Sequence, residues 1–395
     1  MLVALTNTPR DYEWGSREAI ARLQGRAADG TREAEVWFGD HPGAPARVED
    51  GSGRTLDVWI AEEGAAHGIP APLPFLLKLL AAESPLSIQA HPTREQARKG
   101  FRREDRAEVS RDAPHRNYRD DNHKPEVIVA IDGDFEALAG FRPAGELAEL
   151  LDAMDLPDDV LPHLRAGLRG ADAEGAIRSA VGDLLSGGAS DSLRAIEAAL
   201  GRTHAPRFAE DLAAVARIAV RHPGDPGIAV SLMMNRVVLA EGEAMFVPAG
   251  VPHAYLRGLG VEIMAASDNV LRGGLTPKHV DVAELLDVID ARPGPAPLLA
   301  PAPIAPGVEV FAPPVADFSL VRVRRDRADE PATAVQLRGA TIALATRGSL
   351  TVAAGSSELG LAPGQACLIT PDDGAVRIGG AGEVFLARSG DPASG

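Results

Sequence analysis

The chain has 395 residues, of which 45% are hydrophobic and 24% charged, and its formal net charge is −16 at pH 7. Its length predicts about two or three domains of a soluble globular protein. The acidic balance argues against nonspecific nucleic-acid binding, which depends on Lys and Arg neutralising phosphates. A small anionic ligand would be repelled at long range, so it would need a locally basic pocket.

Neither a membrane span nor a secretion signal is visible in the sequence. No run approaches the roughly 18 apolar residues of a spanning helix, and residues 1–9 lack a basic region followed by a long apolar core. The single cysteine, Cys367, excludes an internal disulfide and a thiolate-rich zinc site and fits a reducing compartment. We expect a cytoplasmic monomer without membrane or nucleic-acid partners.

Residues 1–140 are predicted to form mostly short strands separated by Gly and Pro. The strongest candidates are residues 35–39, 75–80, 86–91 and 127–131. The charged run 93–100 predicts a short solvated helix, with Thr93 as its N-cap and Gly100 as its C-terminal stop.

Residues 144–222 change character and are rich in Ala, Leu and charged residues at helical spacing. This pattern predicts an all-helical insert of about four helices, which ends at the Gly/Pro cluster 222–227. Strands are predicted to resume over 228–268.

The remainder of the chain is predicted to contain one more helix and then only strands. The helix is expected from Pro277 to about Ile289, with Thr276 as its cap. A Pro/Ala-rich linker at 291–306 separates it from residues 307–395, which are typical of a small all-β domain. The sequence therefore predicts a mainly β protein with an α-helical insert.

Three segments carry residues that can bind a metal. Gln89 and His91 are two positions apart in a strand-like run, and alternation along a strand sends both side chains to one face. Glu126 directly precedes the apolar run 127–131, and His253 stands at the end of a strand, next to a proline. Imidazoles favour zinc, copper, iron or nickel, whereas carboxylate and amide oxygens also suit harder ions. The ligand chemistry alone leaves the metal open.

Charged residues in the same segments point to an anionic ligand. Lys78 interrupts the apolar run 75–80, and a Lys in that setting needs a partner or a wet cavity. Arg272 stands in a polar, flexible stretch, and its planar fork suits a phosphate or an enediolate oxygen. Asp268 and Glu262 could orient these cations or transfer protons, and they could equally be structural ion-pair partners.

Taken together, these motifs resemble the type I mannose-6-phosphate isomerases (phosphomannose isomerases) of the cupin superfamily. The resemblance begins at residues 12–16 and 35–42 and is most specific at 75–78, 86–92, 122–126, 247–255 and 261–278. Several motifs in one order are far more specific than any single motif. One departure is the Gly273–Gly274 pair, where Ala-Gly is expected, and it predicts a looser loop.

The resemblance implies a zinc enzyme, with one ion per chain, that interconverts mannose 6-phosphate and fructose 6-phosphate through an enediolate. It implies two cupin-like jelly-roll β-barrels plus an all-helical inserted domain. The expected catalytic domain covers residues 1–143 and 225–300, the insert covers 144–224, and a C-terminal cupin-like domain covers 301–395.

The resemblance also implies residue roles, position by position. The implied zinc ligands are Gln89, His91, Glu126 and His253. The implied catalytic residues are Arg272, Lys78, Lys124, His123, Glu262 and Asp268. The implied substrate-binding residues are Ser87, Lys78 and Arg272, with Ser87 at the phosphate. The identity of the base stays open among Lys78, Glu262, His123 and a metal-bound water.

Three other functions remain as alternatives at this point. A related cupin isomerase acting on glucose 6-phosphate would share most of these residues. A metal-dependent cupin oxygenase would require iron and an open facial site. A non-catalytic sugar-phosphate-binding protein is the third alternative, and the complete set of candidate ligands argues against it.

Overall fold

A computed structural model describes residues 1–390 of the protein. Within this range the fold is mainly β, with two antiparallel sheets and ten α-helices, numbered here in chain order. The helices are α1 (Ala19–Leu23), α2 (Leu56–Glu63), α3 (Arg94–Arg106), α4 (Ala144–Ala153), α5 (Pro162–Leu168), α6 (Ala173–Leu185), α7 (Ser190–Leu200), α8 (Ala209–Arg221), α9 (Gly227–Met233) and α10 (Val282–Val288).

The strands are divided between the two sheets. They are β1 (Leu2–Thr6), β2 (Glu35–Phe38), β3 (Arg47–Val48), β4 (Phe75–Ala82), β5 (Gln89–Ala90), β6 (Glu126–Phe141), β7 (Met234–Leu239), β8 (Ala244–Val247), β9 (His253–Ala265), β10 (Leu271–Arg272), β11 (Ala302–Ala305), β12 (Val308–Phe311), β13 (Ser319–Arg325), β14 (Thr333–Gln336), β15 (Thr341–Ala354), β16 (Ser357–Leu361), β17 (Ala366–Ile369) and β18 (Ala375–Arg388).

The sheet that carries the site contains β2 and β4 to β10. Its main path is β10-β5-β9-β4-β2, while β6 pairs with β7, β8 and β9. Every residue of β4 is buried, as the predicted apolar strand at 75–80 requires. Gln89 of the short strand β5 pairs with His253 at the start of β9. Glu126 at the start of β6 pairs with Met264 at the end of β9.

The other sheet contains the C-terminal strands, as predicted for residues 307–395, together with the first strand of the chain. Its order is β11-β12-β13-β18-β15-β17-β1-β3, and Leu2 of β1 pairs with Ile369 of β17. The expected division at residues 143 and 301 does not anticipate this pairing, because hydrophobic alternation in β1 identifies a strand and not its partner. One apolar core joins the sheets, with Phe38 and Phe75 in the same cluster as Phe385.

Helices α4 to α9 fill the chain between β6 and β7. Five of them, α4 to α8, lie within residues 144–222, compared with the predicted four. The sixth, helix Gly227–Met233, occupies a segment predicted as strand. All seven of its residues are buried, and a short apolar run without periodicity does not distinguish a buried helix from a strand. The core of this region includes Ile88 and Leu271, so the helices pack directly beneath β5 and β10.

The predicted helix from Pro277 to Ile289 starts later than expected. Helix α10 begins at Val282, and Asp281 is its N-cap, accepting a hydrogen bond from the Glu284 amide at 3.1 Å. The Thr276 hydroxyl instead accepts a hydrogen bond from the Lys278 amide at 3.1 Å. Thr276 thus closes a turn and does not cap the helix. No helix in residues 1–390 is long and apolar enough to cross a membrane.

Helix α3 confirms the predicted N-cap and contradicts the predicted stop. Thr93 and Gln96 form a capping box, but the helix continues through Gly100 to Arg106. Gly100 is a packing position, because a Cβ there would overlap the ring of the buried Tyr118.

We expect Gly100→Ala to destabilise the protein despite the higher helix propensity of Ala. Overpacking typically costs about 1–3 kcal/mol, and replacing a helical Gly by Ala offsets up to about 1 kcal/mol. A Cβ added at Gly145, which is also helical, would meet no other atom within 4 Å, so Gly145→Ala is the matched control. Thermal unfolding should show a lower midpoint for Gly100→Ala only, and an equal or higher midpoint would contradict this packing role.

Candidate metal centre and active site

Three predicted ligands converge beside the ends of β5, β6 and β9. His91, Glu126 and His253 offer ligand atoms that all lie within 4.8 Å of one another. Their exposed fractions are 0%, 2% and 3%. Glu126 is the first residue of β6 and His253 the first of β9, so rigid sheet backbone holds both side chains.

The hydrogen bonds of the two imidazoles leave their Nε2 atoms available to a metal. His91 Nδ1 donates to the Asn269 carbonyl oxygen at 2.7 Å, and His253 Nδ1 donates to the Val251 carbonyl oxygen at 3.2 Å. Because a carbonyl only accepts, each ring in its neutral form carries its proton on Nδ1. This is the arrangement by which proteins fix the tautomer and orientation of a ligating histidine.

The polar atoms of these three side chains are arranged as in a metal site. His91 Nε2 is buried without a hydrogen bond, although it lies 3.4 Å from Glu126 Oε1. His253 Nε2 lies 3.1 Å from Glu126 Oε2. Burial, and then the charge of Lys124, lower the pKa of His91 to about 4. The His91 ring is therefore neutral at pH 7 and can donate its lone pair, so two nitrogens and a carboxylate fit a zinc ion.

Gln89 lies beside this centre through strand register. It pairs with His253 of β9 on one side and with Arg272 of β10 on the other. Residues directly opposite in an antiparallel pair have Cβ atoms about 4.5–5.5 Å apart. The role of Gln89 as a fourth ligand remains a prediction.

Lys124 balances the charge of the buried carboxylate. Its Nζ forms an ion pair with Glu126 Oε1. Burial alone would raise the pKa of Glu126, but the charge of Lys124 is the largest of the effects that outweigh burial and hold that pKa well below its usual range. Glu126 is therefore ionised at neutral pH, as a metal ligand must be.

Lys78 is held between two buried carboxylates. Its Nζ lies 3.0 Å from Glu262 Oε2 and 3.4 Å from Glu35 Oε1, and it stands over the Trp37 ring at 5.1 Å. Burial would lower the pKa of Lys78, but Glu262 and Glu35 raise it. Burial raises the pKa of Glu262, while Lys78 opposes that shift. The apolar run around Lys78 predicts that it needs a partner, and two carboxylates meet that need.

Two predicted pocket residues form ion pairs of their own in this structure. Asp268 lies 3.2 Å from His41 Nε2. His123 Nε2 lies 2.8 Å from Asp317 Oδ2 and 2.7 Å from Arg94. Asp317 lies just before β13 in the C-terminal part of the chain. His123 therefore contacts that segment and is not one of the converging ligands.

Arg272 belongs to a cluster of three cations. Burial and then Arg119 lower the pKa of Arg272, and burial followed by Arg272 and Arg119 lowers the pKa of Lys278. Mutual repulsion of this kind marks a region that favours an anion. Ser87, the predicted phosphate contact, is partly exposed two residues before Gln89.

Sequence reasoning missed several residues of this region. They are Glu35, His41, Arg119, Tyr255 and Lys278. The Tyr255 ring lies 6.0 Å from the His253 ring, and its hydroxyl is buried without a well-aligned hydrogen bond to a described residue. Alternation gives a signal for Tyr255, two residues after His253. Arg119 and Glu35 are not marked by any local pattern that ties them to the ligands.

The fold and the site together define a mainly antiparallel β protein with a buried His–Glu–His metal-binding centre. Residues 2–144 match the family described as phosphomannose isomerase type I, catalytic domain. The mannose-6-phosphate isomerase of Escherichia coli (strain K12) is 35% identical over 394 residues, covering 97% of this chain and 98% of that protein. This chain therefore belongs to the type I phosphomannose isomerase family.

Similarity extends to a human protein and to solved structures. The mannose-6-phosphate isomerase of Homo sapiens is 32% identical over 380 residues, covering 86% of each chain. The crystal structure of a mannose 6-phosphate isomerase bound with zinc and yttrium is 32% identical, has a TM-score of 0.89, and covers 99% of this chain and 100% of that chain.

Proposed function

We propose that this protein is a zinc-dependent isomerase that interconverts mannose 6-phosphate and fructose 6-phosphate. The observation that carries the proposal is the buried convergence of His91, Glu126 and His253, with both imidazole Nε2 atoms directed at the carboxylate. Full-length similarity to mannose-6-phosphate isomerases supports the substrate. Gln89 is proposed as the fourth zinc ligand.

The isomerisation moves a proton between C1 and C2 of the sugar while negative charge develops on oxygen. Zinc in this centre would supply Lewis-acid polarisation of the sugar oxygens. Arg272 is proposed to stabilise the developing charge, because a fixed cation in a half-buried site acts strongly on a nearby oxyanion. Lys124 is proposed to keep Glu126 ionised and oriented.

Glu262 is the residue whose environment best suits the proton transfer. Burial raises the pKa of its carboxyl above the ordinary value, although Lys78 opposes that shift, and a carboxylate with a raised pKa accepts a proton more readily. Lys78 keeps its proton between two carboxylates, so we assign it an orienting and substrate-binding role. His123 and Asp268 are proposed to shape the pocket through their partners Asp317 and His41.

The cation cluster explains how a protein of charge −16 can bind a sugar phosphate. We propose that Arg272, Lys278 and Arg119 bind the 6-phosphate together with Ser87. Their mutual pKa effects support a locally positive region, which is what a dianionic group requires in an acidic protein.

The finer architecture follows the same family assignment. We propose a catalytic cupin-type barrel over 1–143 and 225–300, a helical insert over 144–224 and a second barrel over 301–395, with β1 completing the second barrel. We also propose a cytoplasmic monomer without nucleic-acid or membrane partners. The single buried thiol, Cys367, is consistent with that compartment.

Metal removal with assays on two sugar phosphates tests the function. We expect chelation to abolish turnover of mannose 6-phosphate and added Zn²⁺ to restore it, with glucose 6-phosphate turned over poorly or not at all. Activity that survives complete metal removal, or exclusive use of glucose 6-phosphate, would contradict the proposal. Bound iron with O₂ consumption would indicate an oxygenase, and binding of mannose 6-phosphate by zinc-loaded protein without turnover would indicate a binding protein.

A further inference from the structure

Asp225 connects the helical region to the turn that follows Arg272. It lies in the segment between α8 and α9. Its Oδ1 accepts hydrogen bonds from the Gly227 amide at 2.7 Å and the Leu275 amide at 2.9 Å, and its Oδ2 accepts one from the Thr276 amide at 3.2 Å. A carboxylate that accepts hydrogen bonds from several backbone amides fixes the backbone conformation at those residues, because each hydrogen bond is charge-assisted.

The two backbone segments touch at two glycines. A Cβ on Gly274 would lie 2.5 Å from Gly227 Cα, and a Cβ on Gly227 would lie 2.7 Å from the Leu275 nitrogen. Gly274 has φ +111° and Leu275 has φ +57°. A non-glycine residue with positive φ persists only where its surroundings determine the backbone, and Asp225 supplies that determination at Leu275.

The turn separates two members of the cation cluster. Arg272 precedes it on β10, and Lys278 follows it. At the Arg272 end, the Gly273 amide donates a hydrogen bond to the carbonyl of Ile88, the residue before β5, at 2.8 Å. The other end is anchored by Asp225. Both ends of the turn are thus hydrogen-bonded to fixed elements, which argues against the looseness predicted for the Gly273–Gly274 pair.

We propose that Asp225 is a positioning residue that sets the spacing of Arg272 and Lys278, and so tunes binding of the substrate phosphate. The inference rests on the proposed function. Asp225 acts through the turn and through backbone amides, and the helical region thereby contributes to phosphate recognition without touching the substrate.

Substitution of Asp225 with a matched control tests this role. Asp225→Asn replaces one acceptor oxygen by a donor, so it cannot keep all three hydrogen bonds. We expect the KM for mannose 6-phosphate and the inhibition constant of inorganic phosphate to rise together by about tenfold, which is the loss of one strong hydrogen bond. Zinc content should stay at the wild-type level. Asp172→Asn is the control, because Asp172 caps α6 through the Gly175 amide at 2.8 Å and Asn caps a helix equally well.

A double-mutant cycle separates positioning from general stability. If Asp225 acts through the cations, the effect of Asp225→Asn on phosphate inhibition should shrink in a Lys278→Met background, because the two changes are then coupled. Equal effects in both backgrounds, or unchanged KM and inhibition constants in an active enzyme, would overturn the inference.

Two further measurements distinguish a failure of the Asp225 role from a failure of the proposed isomerase function. Asp225→Glu retains both oxygens at displaced positions, and it should give an intermediate rise in the phosphate inhibition constant if Asp225→Asn does not fold. An unchanged constant in folded Asp225→Glu would then overturn the inference. A wild-type protein that fails to turn over mannose 6-phosphate refutes the proposed function itself, whatever the variants do.

Discussion

Arg272→Ala is expected to reduce turnover of mannose 6-phosphate by about 10²–10³-fold, the usual cost of removing one preorganised electrostatic group, while zinc content stays at the wild-type level. Arg272 is held on β10 opposite Gln89 and belongs to the cation cluster, outside the group of converging ligands. Its loss removes charge stabilisation and leaves His91, Glu126 and His253 in place. Steady-state kinetics and metal analysis of the purified variant measure the two quantities.

Two further variants sharpen the Arg272 experiment. Arg272→Lys keeps the charge but loses the planar fork, so its turnover should lie between those of the wild type and Arg272→Ala. Arg98, on the exposed side of α3, provides a matched control, and Arg98→Ala should keep wild-type turnover. A variant Arg272→Ala that lost zinc yet retained normal turnover per bound ion would show that the role assignment is wrong.

The metal centre could be predicted from sequence because each ligand has a local signal. Alternation places Gln89 and His91 on one face, Glu126 directly precedes an apolar run, and His253 follows a proline. The sequence predicts His253 after a strand, whereas the structure places it at the start of β9. The register that unites them could not be predicted: β5 pairs with β9, which lies more than 160 residues away along the chain. Pairing at such separation depends on the complete sheet, whereas periodicity describes only single strands.

The partners of the charged residues are less predictable than the charged residues themselves. Lys78 interrupts an apolar run, and this position predicts that it has a counter-charge. The sequence does not identify Glu35 as that counter-charge, because Glu35 approaches Lys78 through the pairing of Trp37 of β2 with Lys78 of β4. Asp225 stands in a Gly/Pro-rich segment that is typical of a loop between two elements. Its carboxylate nevertheless accepts a hydrogen bond from the amide of Leu275, in a turn 50 residues later. Side chains that serve another segment leave no mark on the periodicity of their own.

His91→Ala is expected to deplete the protein of zinc and to abolish isomerase activity. The variant removes one of two nitrogen ligands. Loss of a residue that only hydrogen-bonds to a metal ligand already costs about 10- to 100-fold in metal affinity, so loss of the ligand itself should cost more. Metal content after dialysis, measured by mass spectrometry, should fall far below one ion per chain for His91→Ala, whereas the exposed-histidine control His163→Ala should keep its metal.

Zinc-dependent stabilisation gives this experiment a second, independent readout. Wild-type protein should gain thermal stability when Zn²⁺ is added to the chelated form, because a ligand that binds only the folded state raises its stability. His91→Ala should lose most of that gain. Because His91 is fully buried, the substitution also leaves a small cavity, so the apo forms must be compared first. If His91→Ala bound zinc as tightly as the wild type and retained full activity, the metal would have to lie elsewhere, and the His91–Glu126–His253 centre would be refuted.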